Sequence, residues 1–131
     1  MRSRSSTSKS QRTKIQSGAV TFSQAHELAS RLPGVELSTS YGTAALKVRD
    51  KVFARQHQTE DAFALRVNAL DRQILMQSQP QAFYITDHYR NHPWVLVRFA
   101  AIDTAELTSL LERAWRIVAP KQLVAQLKEG Q

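Results

Sequence analysis

The chain has no cysteine and only four glycines among its 131 residues. Without thiols there is no disulfide, no thiolate nucleophile and no zinc site that needs sulfur. So few glycines leave no glycine-rich loop of the kind that cradles phosphates, and no nucleophile elbow is present. No apolar run approaches the ~20 residues of a membrane span, and the N-terminus lacks the apolar core of a signal peptide. Acids, too, are missing from one region. Residues 1–17 hold Arg2, Arg4, Lys9, Arg12 and Lys14 and no Asp or Glu.

That last absence explains the charge. Eighteen Lys and Arg against eleven Asp and Glu give a formal net charge of +7. With the five N-terminal cations set aside, thirteen cations face all eleven acids, a surplus of only two. Basicity is thus mostly a property of the first residues, and net charge alone does not argue for a basic face on the rest. The serine-rich stretch "MRSRSSTSKSQRTKIQS" has almost no apolar side chain to offset the entropy of ordering, which predicts a disordered basic arm over residues 1–19. Such an arm either touches phosphates without sequence preference or only solubilises. A transit peptide fits less well, since there is no apolar helical face.

From residue 20 to 128 the sequence predicts one folded domain. Thr21 and Gln24 have capping-box spacing, and Phe22, Ala25, Leu28, Ala29 and Leu32 follow with helical period until Pro33-Gly34. Four short strands follow near 35–41, 44–48, 51–56 and 62–67, the middle two joined by Arg49-Asp50. Neither turn residue is glycine, so that hairpin accepts strain or an unprimed geometry. A second helix fits 68–78 with Leu70, Ile74 and Leu75 inward, ended by Pro80. "FYIT" (83–86) and "WVLVRF" (94–99) read as further strands. Asp103 and Glu106 open a long helix through Val118 whose inward set is Leu107, Leu110, Leu111, Ala114, Trp115 and Val118. Pro120 suits the first turn of a final short helix carrying Leu123, Val124 and Leu127. The fold class is α+β, with a mostly antiparallel sheet and helices on one face.

The richest chemistry lies in "DHYRNHPWVLVRF" (87–99). His88 and His92 are four apart, but Pro93 makes a helix through both improbable, so they do not form a helical metal-ligand pair. Asp87 or the distant His57 is a poor third ligand, and no metal site is assigned. Asp50, Glu60, Asp61 and Asp87 all fall at turns, where solvated acids are expected, so no catalytic pair is assigned either.

Strand alternation gives a sharper pattern. Lys47 faces away from Leu46 and Val48, Arg66 away from Phe63, Leu65 and Val67, and Trp94 and Arg98 away from Val95, Val97 and Phe99. If the apolar stripe lies under the helices, the other face presents Lys47, Arg66, Arg98 and Trp94. Cations around an aromatic platform on a wet sheet are one way to bind nucleic acid. The plainer reading has Trp94 in a core with Leu96 and the cations blunting an exposed sheet. The turn carrying Arg49 and Lys51 is either a phosphate-reaching wing or an ordinary solvated hairpin.

The blocks "LASRLPGVE" (28–36), "YGTAALKVRDKVFAR" (41–55), "FALRV" (63–67), "FYITDHYRNHPWVLVRFAAID" (83–103) and "ELTSLLERAWRIVAPKQL" (106–123) are together similar to the MmcQ/YjbR family of small bacterial proteins. The resemblance runs from about residue 20 to residue 124. It implies a CyaY-like (frataxin-like) two-layer α/β sandwich and a DNA-binding role through two hairpins described as a double wing. It implies no metal role from the fold, since frataxins use acidic ridges and the first helix here has only Glu27. The chain departs from the family pattern at Thr43-Ala44, where histidine-proline is common, at Arg49-Asp50, in place of a glycine-rich turn, and at Leu46, in place of an aromatic. Tyr89, Arg90, Pro93 and Trp94 are retained.

The leading expectation is a non-enzymatic, monomeric, cytoplasmic DNA-binding protein with no cofactor. Lys47, Lys51, Arg66, Arg90 and Arg98 would contact phosphate, Tyr89 and Trp94 would stack or wedge, and the arm would add non-specific affinity. The alternative is a small-molecule or protein-binding domain with a pocket bordered by His88, Tyr89, Arg90 and His92. A third class is an enzyme using one of these histidines, so enzymatic status is left open.

Overall fold

A reciprocal capping box starts the fold, in a computed structural model that describes residues 20–40, 42–58 and 61–129. The backbone N–H of Gln24 donates to the Thr21 hydroxyl at 3.2 Å, and that of Thr21 to the Gln24 side chain at 3.1 Å. The cap launches α1 (Phe22–Ala29), which buries Phe22, Ala25 and Ala29. The basic arm expected over 1–19 lies outside the described residues.

Three meander strands come next: β1 (Val35–Ser40), β2 (Thr43–Val48) and β3 (Lys51–Gln56), then β4 (Ala62–Arg66). α2 (Ala69–Ser78) leads to the two-residue strand β5 (Phe83–Tyr84), and a 3-10 turn over Asp87–Tyr89 leads to β6 (Trp94–Arg98). A second 3-10 turn over Phe99–Ala101 precedes α3 (Thr104–Val118) and α4 (Lys121–Glu129). The six strands form one antiparallel sheet in the order β1-β2-β3-β4-β6-β5. This is the expected α+β class.

Register sorts the side chains into two layers. Leu46, Ala54, Leu65 and Val95 lie in one cross-strand row, and Phe63, Val97 and Phe83 in another. Both rows pack into the main core with α1, α3, Leu75 of α2 and the partly buried Leu123, Val124 and Leu127 of α4. A bulge between Leu46 and Lys47 lets Phe53 join its neighbour Ala54 in that core. Trp115 is fully buried, and its indole N–H donates to the Pro33 carbonyl at 2.9 Å, tying α3 to the α1–β1 turn.

Two positions depart from the sequence expectation for physical reasons. Leu70 and Ile74 are 67% and 51% exposed rather than inward. α2 turns Leu75 and Met76 to the core instead, and the half-buried Arg72, one turn earlier, toward the 89–94 loop. "FYIT" is a strand only at Phe83–Tyr84, because the chain leaves the sheet edge to cross its other face.

The β2–β3 hairpin accepts the strain its residues implied: Arg49 has φ of 57°, in the left-handed region. Gly34, at φ of 76°, lies in the same region, where any side chain is strained, and a Cβ there would also displace the Leu123 Cδ1 methyl of α4, 2.7 Å away. Arg49→Gly is expected to raise stability by about 1 kcal/mol in urea unfolding, the left-handed penalty outweighing the added chain entropy. Gly34→Ala is expected to lower it by at least as much.

Candidate functional site

The sheet face away from the helices is organised by Arg72. Its Nη1 lies 3.0, 2.7 and 3.1 Å from the carbonyl oxygens of Tyr89, His92 and Trp94, and its Nη2 donates to that of Arg90 at 3.0 Å. One guanidinium thus satisfies acceptors along a loop whose own N–H groups close short turns: Tyr89 to Thr86, Arg90 to Asp87 and His92 to Tyr89. A cation three residues before Leu75, on the inward face of an otherwise ordinary helix, was the available signal for it.

Pinned this way, the loop lays Tyr89 across the sheet. Tyr89 is 6% exposed and packs on Ala64 and Leu96, with Tyr84, Ile85 and Trp94 around it, as a second small core. Arg55 of β3 donates to the Tyr89 hydroxyl. The ring expected to stack or wedge is thus packed into the sheet, with its hydroxyl at Arg55. Trp94 is half-buried against the same cluster.

Around this island the face is basic. Register places Lys47, Arg55, Arg66 and Arg98 on it, and the only acid among its strand residues is Glu36, opposite Lys47 on the edge strand. Arg55 was missed by sequence reasoning, although alternation against Ala54 marks it as clearly as it marks Lys47. Two of these cations lie against aromatic rings. The Arg98 guanidinium stands 4.0 Å from the Tyr84 ring centroid, and that of Arg66 is 6.0 Å from Trp94. Burial first, and the Asp61 carboxylate second, push the Tyr84 phenol upward, so it stays neutral beneath Arg98. Arg66 Nε is buried without a hydrogen-bond partner.

The remaining predicted residues divide. Lys51 is exposed beside the Arg49-Asp50 turn. Arg90 is exposed and pairs with Asp87, an ion pair of little net value in water. His88 and His92 have ring centroids 5.9 Å apart but line different cavities. His88 borders one with Arg55, His57, Gln58, Thr86 and Tyr89; His92 borders another with Arg72, Arg90 and Pro93. The four residues expected around one pocket thus border two cavities, His88 and Tyr89 on one and Arg90 and His92 on the other. Among the described residues no three His, Cys, Asp or Glu side chains gather as metal ligands, and no helix is long and apolar enough to cross a membrane.

The model of the YjbR family matches residues 30–117. The chain belongs to the YjbR family. That span runs from the end of α1 through almost all of α3 and contains every sheet residue named above. An uncharacterised protein of Mycobacterium bovis, Mb2600, is 42% identical over 50 residues, covering 38% of this chain and 39% of the relative. The uncharacterised protein Rv2570 of Mycobacterium tuberculosis matches equally. The aligned stretch thus spans well under half of these curated relatives. The crystal structure of Deinococcus radiodurans protein DR2400, a DUF419 domain, superposes with a TM-score of 0.69 at 20% identity, covering 87% of this chain and 92% of that one. This likeness supports the YjbR fold.

Arg72→Met is expected to cost about 2 kcal/mol in urea unfolding, because four carbonyls lose a charged donor. It is also expected to shift the amide resonances of residues 87–94 while leaving those of α1 and α3 in place.

Proposed function

We propose that the protein is a DNA-binding module that works without catalysis, as a monomer in the cytoplasm, and that it engages phosphate on the open face of its sheet. The observation that carries this reading is the sorting of charge. The domain beyond residue 17 has a surplus of only two cations, yet four of its cations and a single acid lie among the strand residues of this one face. Helices cover the opposite face, so the basic side is the one left open. Arg90 extends it toward the loop, while Lys51, which register pairs with the buried Val48, stands at the hairpin. Trp94 offers the aromatic surface, with Arg66 held beside it.

Arg66 separates function from stability. Its buried Nε lacks a partner, a state that costs about 1–3 kcal/mol. Arg66→Met removes that donor, so folding stability is expected to hold or rise while DNA affinity falls. Arg98→Ala is expected to act alike on affinity. Labelled duplex and single strands titrated across salt concentrations measure both. On B-DNA the log–log salt slope is expected to shrink by about 0.9 for each phosphate contact removed. Deletion of residues 1–17 is expected to weaken binding without abolishing it. Binding that vanishes with the arm and ignores Arg66 and Arg98 contradicts the proposal.

A further inference from the structure

The open face carries two arginine–aromatic pairs, and their spacing bears on which form of DNA it can hold. Trp94 of β6 stands directly opposite Arg66 of β4, with the guanidinium 6.0 Å from the indole ring centroid. Tyr84 of β5 pairs with Leu96, two residues along β6 from Trp94, and Arg98 lies 4.0 Å over the Tyr84 ring. Arg98 also donates to the Gln81 carbonyl at 3.2 Å, which helps hold its guanidinium in place. All four side chains are half-buried, so each is braced by the sheet and still meets solvent.

A nucleotide base is flat, and it stacks on an indole or on a guanidinium plane alike. Trp94 and Tyr84 are diagonal neighbours across β6 and β5, a relation that sets residues ~7–8 Å apart. Bases in a duplex rise by only ~3.4 Å per step along each strand. Two neighbouring bases therefore reach both pairs only when splayed apart, which base pairing and stacking forbid. The width of the sheet acts in the same direction. Six strands at ~4.8 Å span about 24 Å, twice the ~12 Å of a major groove. β6 lies inside that width, between β4 and β5, so Trp94 cannot follow a groove to base edges. A duplex meets this part of the face through its phosphates.

We propose that the open face selects single-stranded DNA, with one base on Trp94 beside Arg66 and its neighbour on the outward plane of Arg98. This rests on the open-face reading and adds to it the class of strand. The cations serve phosphates of either form, whereas the stacking surfaces serve only the unpaired one.

Affinities of the full chain for a single strand of about ten nucleotides and for the duplex of equal length, at about 150 mM salt, test this. The single strand is expected to bind about ten-fold more tightly. Trp94→Leu is expected to weaken single-strand binding about ten-fold and to leave duplex binding within about two-fold, while Trp94→Phe, which keeps a ring, retains most of the preference. Arg98→Lys keeps the charge and removes the plane, so it is expected to lower single-strand affinity several-fold with duplex affinity unchanged. It carries the same comparison if Trp94→Leu folds poorly. Equal or tighter binding of the duplex, or losses shared alike by both DNAs in these variants, overturns the single-strand assignment and leaves the face as a phosphate surface. Indifference of both DNAs to Arg66→Met and Arg98→Ala overturns the open-face reading, and this assignment with it.

Discussion

The open side of this molecule depends on one guanidinium. Arg72 reaches from α2 to four carbonyl oxygens between Tyr89 and Trp94, two of which, those of Tyr89 and His92, also accept from N–H groups of the stretch itself. Because the loop is held there, Tyr89 covers Ala64 and Leu96 and its hydroxyl meets Arg55. His88 and His92, at the two ends of the held stretch, border different cavities. On α2, Leu70 and Ile74 are left exposed while Arg72 points to the loop.

A sheet with helices on one side must do something with the other. Here the centre of that side is closed by a small aromatic and aliphatic island, and the margins carry arginine and lysine. Arg98 lies over Tyr84 and Arg66 beside Trp94, so the aromatic rings both shield the sheet and orient the cations. Both readings of the face, a patch of core and a basic surface, therefore apply to adjacent parts of it. The near-neutral domain charge conceals this arrangement, in which Glu36 is the one acid among the strand residues of the face.

Much of the fold was legible because its signals are local. Strand alternation placed Lys47, Arg66, Trp94 and Arg98 on one face, and the caps at Thr21 and Asp103 opened helices where they were expected. The α3 stripe from Leu107 to Val118 is buried as its period predicts. What escaped depends on contacts distant in sequence. No helical period distinguishes Leu70 from Leu75 when an arginine's partners lie some twenty residues away. The buried position of Tyr89 follows from that same contact. His57 and His88 are brought to one cavity only by the sheet and the turn together.

The central proposal is that DNA docks on the open sheet face of the folded domain, with residues 1–17 adding only affinity. Amide and indole NMR of the full chain, titrated with a short DNA duplex at moderate salt, tests it most directly. The account predicts shifts at Lys47, Arg66, Trp94 and Arg98, with the buried α3 residues Leu111 and Trp115 unmoved. Shifts confined to residues 1–17, or centred on the helical side, would contradict it.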